Sequence, residues 1–303
     1  MVNLSVNIGR LKLKNPVLVA SGTFGYGQEF KDLINLNRLG AIVTKTITLA
    51  PKQGNPMSRT IETPCGMLNS IGLANQGIDN FLQYKINLLN KLKTAVIVSI
   101  AGESTQEFSR LTAMLNKQSS VDAIELNISC PNIRRKTKLI AQDPKATYRT
   151  VRAVRKATRK TLITKLSPNV TDIVDIAEAA CQAGSDALSL VNTVFGMSID
   201  LDRIKPHLAC IFGGLSGPAI KPISLYMVYQ LAQKVKLPII GMGGIMNTQD
   251  ALEFILAGAT AVSVGTANFI NPRASIEILN GIRKYLIEHK IKDIRQLIGA
   301  LKV

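Results

Sequence analysis

The sequence predicts an α/β fold, specifically a (β/α)8 TIM barrel with a small N-terminal hairpin cap and a long active-site insertion. Three observations predict it. Eight short β-branched or aliphatic runs recur along the whole length, usually followed by a polar residue or a glycine. Amphipathic helical patterns separate most of them, and strands alternating with helices imply βαβ units in a parallel sheet. Eight such units in 303 residues match the usual barrel length. A doubly wound open sheet would carry a Gly-x-Gly-x-x-Gly turn after its first strand, and that motif occurs nowhere in the chain.

Taken in order, residues 4–13 alternate on either side of a turn and read as a hairpin closing the lower end of the barrel. The strand runs are 17–20, 41–44, 95–99, 123–127, 162–166, 187–191, 238–241 and 261–265. Helical patterns cover 106–116, 145–158, 172–183, 224–235, 248–256 and 275–288. Segment 46–80 is rich in Gly, Pro and Asn, has little regular pattern, and is long enough to be functional. Repeats, low-complexity stretches and linkers are missing from the sequence, so a single domain over 1–303 is expected.

Composition narrows the function. Hydrophobic content of 46% with 19% charged residues is ordinary for a soluble enzyme. No apolar run approaches the ~20 residues that span a bilayer. The first fifteen residues mix Asn, Lys and Arg with single apolar residues rather than forming a signal-peptide core, so a cytoplasmic protein is expected. Cys65, Cys130, Cys181 and Cys210 are widely spaced and form no Cys-x-x-Cys pair, and a lone His207 near Cys210 makes no ligand set, which argues against zinc, an intrinsic iron–sulfur cluster or a disulfide framework. Cys181 falls on the apolar side of its helical pattern and is expected in the core. The net charge is 37 − 20 = +17. It clusters at Arg134-Arg135-Lys136 with Lys138, and in a helical stripe of Arg149, Arg152, Arg155, Lys156, Arg159 and Lys160. Aromatics are only 5%, and no nucleic-acid motif accompanies the charge. A solvated outer face is therefore preferred over nucleic-acid or membrane-surface binding.

The chemistry concentrates in Asn127-Ile128-Ser129-Cys130-Pro131-Asn132. A thiol stands between two asparagines after a strand-like run, on a turn stiffened by Pro131. Only two histidines exist, His207 and His289, and neither lies in a motif. In a barrel the site lies at the carboxyl ends of the strands. The residues standing there are Ser21-Gly22, Lys45-Thr46, Ser99, Asn127 with Cys130, Lys165, Asn192-Thr193, Gly243-Gly244 and Gly265-Thr266. Lys45 and Lys165 each interrupt a buried-looking run. The glycines either turn the chain or bind phosphate on bare backbone N–H groups. A lysine can stabilise negative charge at N1 of a reduced flavin, and a cysteine with a free-thiol pKa of ~8.5 can serve as a base beside cations. From the residues alone, the reading is a flavin or phosphosugar barrel enzyme.

Longer stretches carry a resemblance. Ala20-Ser21-Gly22, Lys45-Thr46, Gly54-Asn55-Pro56, Gly66 to Leu73, Asn127 to Asn132, Lys165 to Asp172, Val191-Asn192-Thr193, Gly213 to Pro222, Gly241 to Gly244 and Val264 to Asn268 together resemble the dihydroorotate dehydrogenases over essentially the whole length. Cys130, where the membrane-bound class uses serine, looks like the soluble class 1. Gly213 to Pro222 and Gly-Met-Gly-Gly look like its NAD-linked, two-subunit 1B type.

The resemblance implies FMN over the barrel mouth and oxidation of (S)-dihydroorotate to orotate in de novo pyrimidine (UMP) biosynthesis. Cys130 would remove the C5 proton while a hydride leaves C6 for the flavin. Asn69, Asn127, Asn192 and Thr193, with the backbone of Ser70, Ile71, Gly72 and Leu73, would grip the substrate, and Lys45 would touch substrate and flavin. Ser21, Thr46, Ser99, Asn127, Lys165, Val191 and Gly217 would line the flavin, with Gly243, Gly244, Gly265 and Thr266 at its phosphate. No metal is implied. Electrons would leave through a partner subunit carrying FAD and a [2Fe–2S] cluster, a homodimer of this chain assembling with it into a heterotetramer. The alternatives are a fumarate-reducing homodimer and a degenerate basic barrel acting as a binding or scaffold protein.

The sequence also departs from the family pattern. The loop Ile133-Arg134-Arg135-Lys136-Thr137-Lys138 replaces a usual Gly-Gly pair, which stiffens it and adds positive charge. Ser99 stands where this class often has Asn, and Ala74 and Gln76 replace a usual Gln and Pro.

Overall fold

The computed structural model describes residues 2–129 and 139–302. Cys130, Pro131, Asn132 and the 133–138 loop lie outside the described residues. Eight parallel strands close into a barrel in simple sequential order. They are β1 (Val17–Val19), β2 (Ala41–Val43), β3 (Ala95–Ile100), β4 (Ala123–Asn127), β5 (Thr161–Lys165), β6 (Ala187–Leu190), β7 (Ile239–Met242) and β8 (Ala261–Val264). Closure is made where Val264 of β8 pairs with Val19 of β1. Each strand differs from its expected run by no more than one residue at either end. The runs are legible because these strands are covered on both faces, as in Thr161–Lys165, which is buried at all five positions.

Helices pack outside the sheet, and local chemistry sets their ends. Thr105–Asn116 starts at Ser104, whose hydroxyl accepts from the Glu107 N–H. Ile173–Ala183 starts at Asp172 and stops at Gly184 in the left-handed region. Lys221–Ala232 begins three residues earlier than expected, because Pro222 sits in its first turn, where a missing N–H costs nothing.

The N-terminal hairpin pairs Val6–Ile8 with Leu11–Leu13. It closes the lower end as expected: a Cβ on Gly9 would come 2.7 Å from Asp186 Cβ and 3.5 Å from Thr161 Cγ2, at the amino ends of β6 and β5.

Two features differ from expectation. Segment 46–80 holds Thr60–Thr63 and Gly66–Asn69, an antiparallel pair that joins Phe212–Ser216 and Val194–Met197 in a four-stranded sheet beside the mouth. Its central pairing, Asn69 with Gly214, joins residues far apart in sequence. Gly213 and Gly214 lower strand propensity, yet a Cβ there would strike the Asn69 carbonyl and the Thr193 hydroxyl. A helical stretch, Gly77–Asn80, Phe81–Lys85 and Ile86–Leu89, also precedes β3. Its π turn spaces the buried Ile78, Phe81, Ile86 and Leu89 so that no regular helical period is visible.

The basic stripe is only partly a free face. Arg155 Nη1 pairs with Asp186 at 2.7 Å, and its Nη2 donates to the carbonyls of Thr158 and Lys160. Lys160 Nζ donates to the Gln118 and Val121 carbonyls. Arg149, Arg152, Lys156 and Arg159 are exposed. Cys181 is half-buried against the core, and burial, with Glu178 adding to it, pushes its thiol up to about 11.

Candidate active site

A cavity of about 240 Å³ opens at the carboxyl ends of the barrel strands. Ser21, Lys45, Thr46, Asn69, Ile71, Gly72, Leu73, Asn127, Lys165, Val191, Asn192, Thr193, Gly217, Gly243, Gly244, Gly265 and Thr266 all line it. Two expected residues stand one layer behind. Ser99 is fully buried, and its hydroxyl meets Thr46 Oγ1 at 3.0 Å. Ser70 is also fully buried, with a hydroxyl that has no partner among the described residues. Neither histidine lines the cavity. Among the described residues, no group of three or more His, Cys, Asp or Glu is placed to hold a metal ion.

The end of β4 is fixed by a hydroxyl and amide network. Thr46 Oγ1 lies 2.9 Å from Ser21 Oγ and accepts from Asn127 Nδ2 at 3.2 Å. With Ser99, that makes three partners, the full capacity of one hydroxyl. Asn127 Oδ1 accepts from Ser129 Oγ at 3.3 Å and Asn192 Nδ2 at 3.4 Å. Asn192 Nδ2 also donates to Ser129 Oγ at 3.0 Å, while Asn192 Oδ1 accepts from the Thr193 N–H at 2.8 Å. The amide orientations follow from this network rather than from chance rotamers. Ser129, next in chain to Cys130, is part of it and carried no sequence signal beyond its motif.

The wall made by residues 70–73 is held from outside by two asparagines. Asn55 donates twice along it, its N–H to Ile71 O at 3.1 Å and its Nδ2 to Ser70 O at 3.0 Å. Asn75 Oδ1 accepts from the N–H groups of Thr48 and Gly77, and its Nδ2 donates to Thr48 Oγ1 and Leu73 O. The last of these bonds ties down the carbonyl of Leu73, which lies in the left-handed region at φ 59.

Opposite, the backbone after β7 and β8 forms a concave cradle. Gly243 has φ 116 and Gly244 φ 80. A Cβ on Gly243 would strike the Ser224 hydroxyl, and one on Gly244 would come 2.6 Å from Lys221 Cβ. Among the described residues, nothing accepts from the N–H groups of Gly244, Gly265 and Thr266. Asp250 stiffens this edge by accepting from the Met246 and Asn247 N–H groups and pairing with Lys221 Nζ at 2.5 Å.

Charge enters from two lysines. Burial lowers the Lys45 ammonium below the ordinary lysine value, with Glu29 pulling it up and Arg59 pushing it down. Lys165 is 4% exposed, and its Nζ stands 3.7 Å from Oε1 of Glu125, itself 1% exposed. Glu125 interrupts the run Ala123-Ile124-Glu125-Leu126 just as the lysines interrupt theirs, and the same signal would have found it. The orphaned Ser263 hydroxyl also borders the cavity. Paired amides, two ammonium groups and spare backbone donors suit an anionic planar ligand together with a phosphate-bearing one.

The family described as dihydroorotate dehydrogenase matches residues 3–286. A Geotalea uraniireducens protein named dihydroorotate dehydrogenase B (NAD(+)), catalytic subunit, is 54% identical over 299 residues, covering 99% of this chain and 98% of its own. Its namesake from Geobacter sulfurreducens is 54% identical over 301 residues, with 99% of each chain covered. The Thermoanaerobacter sp. protein of that name is 51% identical over 302 residues, with 100% of each covered. The chain belongs to the dihydroorotate dehydrogenase family.

Proposed function

We propose that this chain is the catalytic subunit of an NAD-linked dihydroorotate dehydrogenase, oxidising (S)-dihydroorotate to orotate in pyrimidine biosynthesis. The carrying observation is the convergence of Asn69, Asn127, Asn192, Thr193, Lys45 and Lys165 on one cavity whose far edge is a glycine cradle.

The residues present fit FMN. Gly243 and Gly244 leave no room for side chains, and the unpaired N–H groups of Gly244, Gly265 and Thr266 suit a phosphate. Ser263 offers a buried hydroxyl without a partner, and Lys165 brings a cation to the cavity wall. Ser21, Thr46, Val191 and Gly217 would border the ring, with Ser99 acting through Thr46. FMN, when bound, supplies the acceptor for the electron pair released at C6 of the substrate.

The chain's own residues do the rest. Asn69, Asn127, Asn192 and Thr193 would hold the pyrimidine's polar edge, the backbone of Ile71 to Leu73 would close over it, and Lys45 would balance its carboxylate. Cys130 would take the C5 proton, so that the C5–C6 double bond forms as both hydrogens leave. Its neighbour Ser129 is hydrogen-bonded to both Asn127 and Asn192, which supports delivery of position 130 to the substrate.

A partner subunit carrying FAD and [2Fe–2S] would pass electrons to NAD+. Two copies of this chain would form the centre of the assembly through the sheet beside the mouth. There Phe195, Met197 and Phe212 are exposed, the two rings packed edge-to-face at 5.6 Å. Among the described residues no helix is long and apolar enough to cross a membrane, and we place the assembly in the cytoplasm.

The test is spectral. Purified protein should bind FMN and bleach anaerobically with dihydroorotate, and NAD+ should be reduced only when the partner is added. Robust fumarate-dependent turnover by the chain alone would replace the two-subunit reading with the homodimeric one. Colourless protein unable to take up FMN would favour a basic scaffold.

A further inference from the structure

We propose that Glu125 is a positioning residue: its carboxylate holds the Lys165 ammonium at the cavity wall by charge alone, leaving the ammonium's N–H donors free for the cofactor. The inference rests on the FMN reading above. Glu125 and Asn127 point to the same side of β4, and Asn127 pairs in register with Lys165 of β5. The carboxylate thus sits one step below the cavity, inside the barrel, with the buried Ser189 and Lys165 beside it. A charge buried to 1% exposure is costly unless it is paired, so its presence needs a compensating partner.

That partner is held in an unusual way. Ser189 on β6 donates its hydroxyl to Glu125 Oε2 at 3.0 Å, which fixes the plane of the carboxylate. Oε1 then faces Lys165 but has no hydrogen bond among the described residues. The 3.7 Å separation exceeds hydrogen-bond range, so the attraction is Coulombic. Lys221 in this same chain shows the contrasting case, closing on Asp250 at 2.5 Å and on Glu253 at 2.8 Å. A merely structural pair would be expected to close in that way. Here the hydroxyl of Ser189 occupies one carboxylate oxygen and the geometry keeps the other just out of reach. The lysine is tethered without being consumed.

The pair therefore sets both where the positive charge stands and how much of it the cofactor feels. In the FMN-loaded protein, Glu125→Gln keeps the shape and removes the counter-charge. The two-electron midpoint potential should move positive by about 30 mV or more, a tenfold change in the ratio of reduced to oxidised flavin. Sulfite, which forms an anionic adduct with flavins, should bind about tenfold tighter or better. In a Lys165→Met background, Glu125→Gln should change neither readout, because Glu125 acts through the lysine. Ser189→Ala frees the carboxylate to turn onto Lys165 and should shift the potential the opposite way, which decides the matter if Glu125→Gln fails to fold. An unchanged or more negative potential in Glu125→Gln, or the same shift without Lys165, overturns the proposal. Where Glu125→Gln does not fold, an unchanged potential in Ser189→Ala does so. Wild-type protein that takes up no FMN overturns the cofactor reading itself, a result distinct from both.

Discussion

Asn192 and Asn127 meet edge to edge at the carboxyl ends of β6 and β4, Nδ2 to Oδ1 at 3.4 Å, with Ser129 bonded to both. This contact fixes two amides from different strands in a single orientation before any ligand arrives. Preorganised donors and acceptors of this kind contribute to binding because no side-chain ordering remains to be paid at that moment.

Asn192→Ala should therefore damage recognition more than its own lost contact. It removes the donor to Asn127 Oδ1 and the acceptor for the Thr193 N–H. Leaving buried polar groups unpaired costs about 1–3 kcal/mol. The expected outcome is a 10- to 100-fold fall in kcat/KM for dihydroorotate with FMN retained, measured by steady-state kinetics and flavin content. Unchanged kcat/KM would remove Asn192 from the substrate site.

The glycine cradle gives a paired prediction. Gly243→Ala faces φ 116 and the Ser224 hydroxyl, so both the fold and FMN affinity should suffer, with strain of about 1–3 kcal/mol. Gly265→Ala meets only Ala20 Cβ at 3.7 Å and Thr23 Cγ2 at 3.9 Å, ordinary contacts. Its apoprotein should melt at the wild-type temperature while the FMN dissociation constant rises at least tenfold. Calorimetry of the apoprotein and flavin fluorescence titration separate the two effects. Wild-type FMN affinity in Gly265→Ala would place the phosphate elsewhere.

These contrasts track what is legible in the sequence. The barrel strands are plain because each is a short, mostly apolar and almost wholly buried run, and Lys45 and Lys165 stand out by breaking such runs. The mouth sheet is not legible, since Gly66–Asn69 finds its partner in Phe212–Ser216 only through tertiary structure, and its glycines answer to close backbone approach. Ser70 and Ser99 belong to the correct segments, but alternation along a strand or loop cannot say which side chains stop one layer short. Asn75 is hidden for a related reason: two of its four hydrogen bonds reach Thr48, 27 residues away, and their value lies in shaping a wall for something else.

Lys45 carries a pH signature. Burial lowers its pKa in the folded protein, so the unfolded chain holds the proton more tightly. Stability from this site therefore rises with pH across the window between the lowered folded value and the ordinary 10.5, and the burial cost is fully present below that window. Lys45→Met should raise the melting temperature of the apoprotein at pH 7 and flatten its pH dependence in that window, while raising KM for dihydroorotate at least tenfold. Thermal scans across pH on ligand-free protein check the first half, and kinetics the second. A lower melting temperature in Lys45→Met would mean that contacts of its aliphatic stem outweigh the buried charge.

Cys130 bears the sharpest prediction because the described lining of the cavity holds no histidine, carboxylate or thiol. Lys45 and Lys165 bring positive charge to the cavity, and neighbouring cations favour the charged form of a thiol held there. A serine hydroxyl stays protonated at the same pH, and positioned bases contribute about 10²- to 10⁴-fold to such steps. In Cys130→Ser, anaerobic stopped-flow flavin reduction by dihydroorotate should slow by that order at pH 7 and recover in part as pH rises, because hydroxide and the small alkoxide fraction increasingly share the work. Substrate affinity should stay near wild type, since the asparagine network does not depend on the sulfur. Wild-type reduction rates at pH 7 would remove Cys130 from proton transfer and leave the amide-lined cavity in need of another base.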